Sequence, residues 1–122
     1  MRGVFIETSE FTNWIGHFLS DDSYAEIQRR LMDNPDTEGV MPGCGGLRKL
    51  RTADLKRGKG KRGGARLIYL YVPEARHFYM LDIYGKDEKD DLTNDEKKVL
   101  RLLAIELKRE AKIAANRKQY EE

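Results

Sequence analysis

The sequence predicts a small α+β domain over residues 1–122, built as strand, helix, helix, three antiparallel strands and a final helix. Three observations support this order. Apolar residues recur at intervals of three and four in the first third of the chain, which is the spacing of a helix face. Two apolar runs then follow each other across four residues, as in a strand hairpin. A helix-capping signal finally precedes a second region of helical spacing.

The N-terminal region is predicted to form one strand followed by a helical hairpin. "GVFIET" (3–8) is typical of a short strand, and "SEFTNWIGHFL" (9–19) has the apolar spacing of an amphipathic helix. "SDDS" (20–23) offers hydroxyl and carboxylate caps for a second helix. That helix ends near Asn34, because Pro35 disfavours helical backbone in the residue before it. The short link implies that the two helices run antiparallel.

Three strands are predicted after a turn-rich connector at residues 39–46. "LRKLR" (47–51) alternates, so its basic and apolar side chains point to opposite faces of a strand. "RLIYLYV" (66–72) and "HFYMLDIY" (77–84) are apolar on both faces, as expected for central strands. The four residues "PEAR" (73–76) between them suit a tight antiparallel turn.

The last element is predicted to be a helix that begins after Thr93. "TNDE" (93–96) matches a capping box, in which Thr93 is the N-cap and Glu96 reaches back to it. Behind this signal, apolar residues fall along one side of the helix at Val99, Leu100, Leu103, Leu107, Ala111 and Ala114.

The basic residues are concentrated in one region of the chain. Residues 48–66 hold nine lysines and arginines but one aspartate, whereas the whole chain has a net charge of only +2. The remainder of the chain is therefore net acidic. A basic patch on an acidic scaffold indicates a polyanionic partner. The alternative is a solvated charged loop, which accounts for many basic runs.

Two nucleotide-binding motifs fit this glycine-rich run poorly. A Walker-type loop needs serine or threonine after its GK pair, and no GK pair in this chain is followed by either. The dinucleotide fingerprint fails because "GCGGLR" leads into a strand rather than a helix. A disordered tail is also disfavoured, since predicted strands flank the run on both sides. A nucleic-acid backbone is the partner that this elimination favours.

Side chains near the basic run suit this partner. Lys49 and Arg51 project from one face of their strand, beside the loop. Base stacking is a candidate role for four tyrosines, and ordinary core packing is the alternative for each of them: Tyr69, Tyr71, Tyr79 and Tyr84. Carboxylates do not cluster beside the run in the sequence, so hydrolysis through a bound metal ion is not indicated.

Cysteine usage and hydropathy bear on the cellular compartment. Cys44 is the only cysteine, which excludes an intramolecular disulfide and favours a reducing compartment. The N-terminal residues become polar too soon for a signal peptide, and no apolar run approaches the length that spans a membrane. We therefore expect a cytoplasmic protein with no membrane contact.

Three motifs in this order, "GCGGLRKLR", "GKGKRGGARLIYLY" and "FYMLDIYGKDEKDDL", occupy much of residues 43–92. Their order and spacing resemble the HigB branch of the RelE-like bacterial toxins. The resemblance implies a RelE-like fold and a ribosome-dependent mRNA endonuclease of a type II toxin–antitoxin module. In that family a ribose 2′-hydroxyl attacks the adjacent phosphate, so the resemblance implies neither a metal ion nor another cofactor.

The resemblance also implies which residues form the site. The catalytic candidates are Lys49, Arg51, Arg66 and Lys86. Arginine forks at positions 51 and 66 suit the charge of the transition state, and a lysine at 49 or 86 suits proton transfer. Tyr84 is the candidate to replace a C-terminal catalytic tyrosine, because "DEKDDL" after Lys86 holds no aromatic residue. The residues expected to contact RNA are Arg48, Lys56, Arg57, Lys59, Lys61, Arg62 and Tyr84.

The partners implied by the resemblance are a cognate HigA-type antitoxin, mRNA and the A site of the 70S ribosome. A non-catalytic RNA- or ribosome-binding module that uses the same basic patch is the main alternative function. A DNA-binding protein that uses the first two helices is disfavoured, because those helices and the strand before them carry the acidic residues Glu7, Glu10, Asp21, Asp22 and Glu26.

Overall fold

The computed structural model describes residues 2–36, 39–53, 64–89 and 91–121. The elements in this part of the chain follow the predicted order of strand, helix, helix, three strands and helix. Their bounds are β1 (Val4–Glu7), α1 (Ser9–Phe18), α2 (Asp21–Asp33), β2 (Arg48–Thr52), β3 (Ala65–Val72), β4 (His77–Gly85) and α3 (Asn94–Glu121).

The four strands form one sheet in the order β1-β4-β3-β2. β1 runs parallel to β4, and the pairs β4–β3 and β3–β2 are antiparallel. β3 and β4 are therefore the central strands, as predicted from their apolar composition. The turn at residues 73–76 joins them directly, since Val72 pairs with His77. This confirms the predicted hairpin.

Helices cover both faces of the sheet. Leu67 and Tyr69 of β3 pack with residues of α1 and α2, whereas Ile68 and Leu70 pack with α3 and the connector before β2. Successive side chains of a strand point to opposite faces, so this alternation identifies the face of every residue along β3. Arg66, which is two residues before Ile68, lies on the α3 face.

A β-bulge in β4 changes which side chains face α3. Met80 pairs with Tyr69 and Asp82 pairs with Ile68, so Leu81 is an extra residue in β4. An extra residue reverses the alternation beyond it. As a result Tyr84 and Leu81 both lie in the buried cluster on the α3 face. In a regular strand, residues three positions apart would point to opposite faces. The bulge thus places Tyr84 opposite Arg66.

The caps of the helices agree with the sequence signals. Ser20 is the N-cap of α2 and Asn34 its C-cap. Before α3, the Thr93 hydroxyl accepts from the Glu96 amide at 3.1 Å, and the Glu96 carboxylate accepts from the Thr93 amide at 2.9 Å. This confirms the capping box.

The predicted apolar helix faces are partly wrong. Trp14, one of the apolar residues in the predicted amphipathic helix α1, is 49% exposed. Val99, predicted on the apolar side of α3, is 65% exposed. Helix α3 buries Ala111, as predicted, together with Ala104, which was not on the predicted face. Three further residues of the predicted face are partly buried against the same cluster: Leu100, Leu103 and Leu107. Its contact stripe is therefore narrower than the apolar pattern, and Val99 falls outside it.

Thr8 connects the bulge to the first helix. Its hydroxyl accepts a hydrogen bond from the Phe11 amide at 3.1 Å as the N-cap of α1. The same hydroxyl donates to the carbonyl of Leu81, the extra residue of the bulge, at 2.8 Å. Thr8 therefore satisfies polar groups of two elements at once.

We predict that Thr8→Ala lowers the free energy of unfolding by about 1–3 kcal/mol, because a cap is lost and a bulge carbonyl loses its donor. Thr8→Ser keeps the hydroxyl and should stay within about 0.5 kcal/mol of the wild type. Ser9→Ala, one position along on an exposed side chain, is a second control. Urea unfolding checks this, and equal stability of Thr8→Ala and Thr8→Ser would contradict it.

Candidate functional site

Three neighbouring strands bring a row of polar side chains together where β2 ends and β3 begins. Arg51 of β2 lies directly opposite Arg66 of β3, and Arg66 lies directly opposite Tyr84 of β4. Directly opposed residues of antiparallel strands have Cα atoms about 4.5–5.5 Å apart and side chains on the same face. Arg51, Arg66 and Tyr84 therefore form one row on the α3 face of the sheet.

Arg66 is the buried member of this row. It is 4% exposed, and it is the one charged residue that is buried among the described residues. Its Nη1 donates to the Ala65 carbonyl at 3.3 Å. A guanidinium stays charged in proteins, and a like charge directly opposite, here Arg51, is destabilising. Destabilising arrangements of this kind are expected at sites that bind a ligand or carry out a reaction.

Tyr84 packs beside Arg66 rather than facing solvent. It is 3% exposed, and its hydroxyl has no hydrogen-bond partner among the described residues. Burial raises the pKa of Tyr84 to about 12; the Asp91 carboxylate adds to this effect and Arg66 opposes it. The phenol is therefore protonated at neutral pH. Burial of the ring argues against the predicted base-stacking contact of Tyr84 with RNA.

Lys49 takes part in an ion-pair network with the segment before α3. Its ammonium is 3.2 Å from one oxygen of Asp91, and the ammonium of Lys97 is 2.9 Å from the other. The first oxygen also accepts from the Leu92 amide at 2.8 Å. The hydrogen bond from Lys97, followed by those from Leu92 and Lys49, holds the pKa of Asp91 at about 2 although partial burial opposes the shift. The carboxylate is thus ionised at neutral pH.

A cavity of about 330 Å³ lies beside this network. Three basic side chains line it, from Lys49, Arg51 and Lys97, together with the Asp91 carboxylate. The rest of the lining comes from the connector before β2 and is mostly apolar: Val40, Met41, Pro42 and Cys44. The cavity therefore combines positive charge with an apolar wall, which suits an amphipathic anion such as a nucleotide.

Lys86 and Arg48 lie apart from the row. Lys86 is exposed in the turn after β4, and its amide donates to the Gly64 carbonyl at 2.9 Å, so it is at the same end of the sheet as Arg66. Arg48 lies opposite Tyr69, on the face that α1 and α2 cover, and its guanidinium is 3.3 Å from the Asp36 carboxylate. The structure thus separates Arg48 from Lys49 and Arg51, because neighbouring strand residues point to opposite faces.

Several predicted RNA contacts belong to a part of the chain outside the described residues. They are Lys56, Arg57, Lys59, Lys61 and Arg62. The backbone ends that flank them are described: β2 ends at Thr52, and β3 begins at Ala65, its partner in the ladder. The described ends of β2 and β3 on either side of these residues both lie at the end of the sheet that holds Arg51 and Arg66.

The other tyrosines near the basic run are explained by packing. The Tyr69 hydroxyl donates to the Pro35 carbonyl at 3.0 Å, and the Tyr71 ring lies 4.5 Å from that of Phe78. The Tyr79 hydroxyl is hydrogen-bonded to His77 at 3.1 Å. Each of the three rings contributes to the sheet, so the structure favours the packing interpretation over base stacking for them.

Asp91 and Lys97 had no signal in the sequence that assigned them to the site. Lys49 and Asp91 are 42 positions apart, and the sequence around Asp91 is typical of a solvated acidic loop. The sequence offers no carboxylate cluster beside the basic run, yet a single carboxylate is central to the network. Only the packing of the segment before α3 against β2 reveals it.

The described part of the chain lacks two features, a metal-binding cluster and a membrane-spanning helix. It contains no group of three or more histidine, cysteine, aspartate or glutamate residues arranged to hold a metal ion. In the same part of the chain, the helices are too short or too polar to span a membrane.

Comparison with known proteins identifies related sequences and folds. A sequence model of the family described as the RelE toxin of the RelE / RelB toxin–antitoxin system matches residues 9–119. The structure is similar to that of a mutant of the E. coli toxin RelE in the free state, with a TM-score of 0.50 and 13% sequence identity. The similarity covers 74% of this chain and 90% of that chain. At this identity the structural similarity shows the fold alone, and it confirms the predicted α+β, RelE-like architecture.

We predict that the ion pairs of Asp91 give the protein a stability that is lost in acid. The pKa of Asp91 is lowered from 3.8 to about 2 on folding, so its contribution is complete above pH 3.8 and disappears as the pH falls through 2. Asp91 is partly exposed, so the contribution should not exceed about 1 kcal/mol.

The measurement is urea unfolding of the wild type and Asp91→Asn between pH 6 and 2. The stability difference between them should shrink as the pH falls from about 4 towards 2. Asp33→Asn, at an exposed position with no ion pair to another described residue, should show no such change. Parallel curves for the wild type and Asp91→Asn down to pH 2 would contradict the role of the network.

Proposed function

Because the chain belongs to the RelE toxin family, we propose that this toxin of a toxin–antitoxin system is an endoribonuclease that cleaves mRNA during translation. The observation that carries the proposal is the row on the α3 face, in which Arg51 lies opposite a buried Arg66 with Lys49 on the same face. Two guanidinium groups held side by side suit a phosphate whose charge increases during reaction.

The reaction is attack of a ribose 2′-hydroxyl on the adjacent phosphate. The attacking oxygen belongs to the RNA itself, so the protein supplies alignment, charge stabilisation and proton transfer. Arg51, which is exposed, binds the phosphate oxygens of the phosphorane-like transition state through its planar fork. Arg66 is buried directly opposite Arg51, so it contributes its permanent positive charge to the same site. The 2′-hydroxyl loses a proton, and the leaving 5′-oxygen gains one.

Lys86 and Lys49 are the candidates for proton transfer, and their environments differ. Lys86 is exposed at the end of β4 and has no carboxylate partner among the described residues. Lys49 is bound by the Asp91 carboxylate, and both side chains line the cavity. We assign proton transfer to Lys86 and phosphate binding to Lys49. Tyr84, buried and protonated, orders Arg66 by packing beside it.

The ribosome contributes what the small basic surface lacks. Non-specific contact with RNA phosphates gives dissociation constants of roughly 10⁻⁴–10⁻⁶ M at physiological salt, so free RNA binds loosely. A message held extended in the ribosomal A site is already oriented, and good orientation is worth effective molarities of about 10⁵ M or more. Cleavage is therefore coupled to translation.

The chain is proposed to be a single domain of the HigB branch that acts in the cytoplasm and is neutralised by a HigA-type antitoxin. The motifs of residues 43–92 support this branch through their order and spacing. The α1–α2 surface carries acidic groups, including Glu10 and Glu26, whereas the cations of the row lie on the other face. An antitoxin that binds the acidic α1–α2 surface needs basic side chains, whereas one that binds the cationic row needs acidic side chains.

A non-catalytic RNA- or ribosome-binding module is the second candidate function. The burial of Tyr84 favours it, since the row then offers only cations and no accessible phenol. Both functions need RNA binding by the same surface, so loss of binding does not distinguish them. Loss of cleavage with binding retained identifies the enzyme.

We predict that Arg51→Ala lowers the rate of mRNA cleavage in a reconstituted translation reaction by about 10²–10³-fold, as expected for removing one donor to the transition state. Arg66→Met removes the buried positive charge opposite Arg51 and should also lower the rate. Arg29→Ala, on the exposed surface of α2, removes the same charge and should cleave normally. Primer extension measures the rates. Wild-type cleavage by Arg51→Ala would contradict the assignment.

We also predict that cleavage depends on ribosomes. Purified mRNA should be cut at least about 10³-fold more slowly without ribosomes than during translation, because free RNA is poorly oriented. The cuts made during translation should follow the reading frame. Moving the start codon by one nucleotide is the control, and it should shift the set of cut sites. Equal cleavage of naked and translated mRNA would refute ribosome dependence.

A further inference from the structure

One carboxylate joins two ammonium groups at the edge of the cavity. Asp91 offers one oxygen to Lys49 at 3.2 Å and the other to Lys97 at 2.9 Å. The two lysines come from different elements, the edge strand β2 and the first turns of α3. An RNA phosphate also presents two unesterified oxygens, and it carries the same single charge as a carboxylate.

We propose that Asp91 occupies the position of an RNA phosphate, and that Lys97 contacts that phosphate together with Lys49 once RNA displaces the carboxylate. The proposal rests on the proposed function, since it takes the cavity beside the arginine row to be part of the RNA-binding surface. It adds Lys97 and helix α3 to that surface, and it makes Asp91 an internal competitor of the substrate.

The position of Lys97 in its helix supports this role. It lies in the first turns of α3, and its amide donates to the Thr93 carbonyl at 2.9 Å. The N-terminal end of a helix carries partial positive charge, so a lysine there is unfavourable unless an anion is nearby. Asp91 supplies that anion when no RNA is bound. The same local field then favours a phosphate in its place.

The surroundings of the network fit a nucleotide rather than a bare anion. The cavity of about 330 Å³ that Lys97 lines also has Arg51 in its wall, which belongs to the arginine row. Val40, Met41 and Pro42 contribute an apolar surface against which a ribose or base can pack. Asp91 keeps its hydrogen bond from the Leu92 amide, so the carboxylate still has a partner after the lysines turn to RNA.

The test is binding of a single-stranded 2′-O-methyl RNA oligonucleotide, measured by fluorescence anisotropy over a range of salt concentrations. Methylation blocks the attacking hydroxyl, so the oligonucleotide is bound but not cleaved. Lys97→Ala should bind at least about threefold more weakly, with the slope of log K against log salt reduced by about 0.7 for one lost phosphate contact. Asp91→Asn should bind roughly threefold more tightly, because two ion pairs no longer compete with RNA.

Matched variants control for net charge. Lys98→Ala removes the same charge from the next, exposed residue of α3, and Asp95→Asn removes a carboxylate from its first turn. The proposal is overturned if Lys97→Ala binds like Lys98→Ala, or if Asp91→Asn binds no more tightly than Asp95→Asn. Lys97→Ala changes a surface side chain and keeps the test decisive should Asp91→Asn unfold. If the protein does not cleave mRNA during translation but these binding differences are observed, the proposed enzymatic activity is refuted. The inference about Lys97 and Asp91 is then still supported.

Discussion

The register between β2 and β3 is the constraint on which the charged surface depends. Leu50 and Leu67 lie opposite each other and are fully buried against α1 and α2. The next pair along the strands is Arg51 and Arg66, which must therefore point to the opposite face together. A slip of one residue would expose the leucines, so the apolar core on one face holds two like charges together on the other.

The arrangement also explains how a cationic surface remains compatible with a stable fold. Asp91 balances part of the positive charge through Lys49 and Lys97, and its low pKa of about 2 keeps it ionised over the physiological range. Arg66 is buried in the sheet beside Tyr84, and the Thr8 hydroxyl supports the bulge that turns Tyr84 to this face. The site is therefore assembled from the sheet, the segment before α3 and the start of α1.

Much of this could be predicted from the sequence because strand and cap signals are local. The alternation of "LRKLR" correctly put Lys49 and Arg51 on one face, and the capping box before α3 was recognisable from Thr93 and Glu96. The bulge was not predictable, because "FYMLDIY" is apolar on both faces. Its sequence is therefore equally compatible with a regular strand and with one whose inward and outward residues are exchanged after a bulge. The link from Lys49 to Asp91 depends on tertiary packing across 42 positions, and no local pattern reports it.

The central claim is that RNA phosphates bind the row formed by Arg51 and Arg66. Its most direct measurement is a titration of ¹⁵N-labelled protein with 2′-O-methyl single-stranded RNA, followed through the Nε–Hε signals of the arginines. We predict that the signals of Arg51 and Arg66 shift together and saturate, while that of Arg29 on α2 does not move. Shifts confined to arginines of the α1–α2 face, with Arg51 and Arg66 unchanged, would contradict the account.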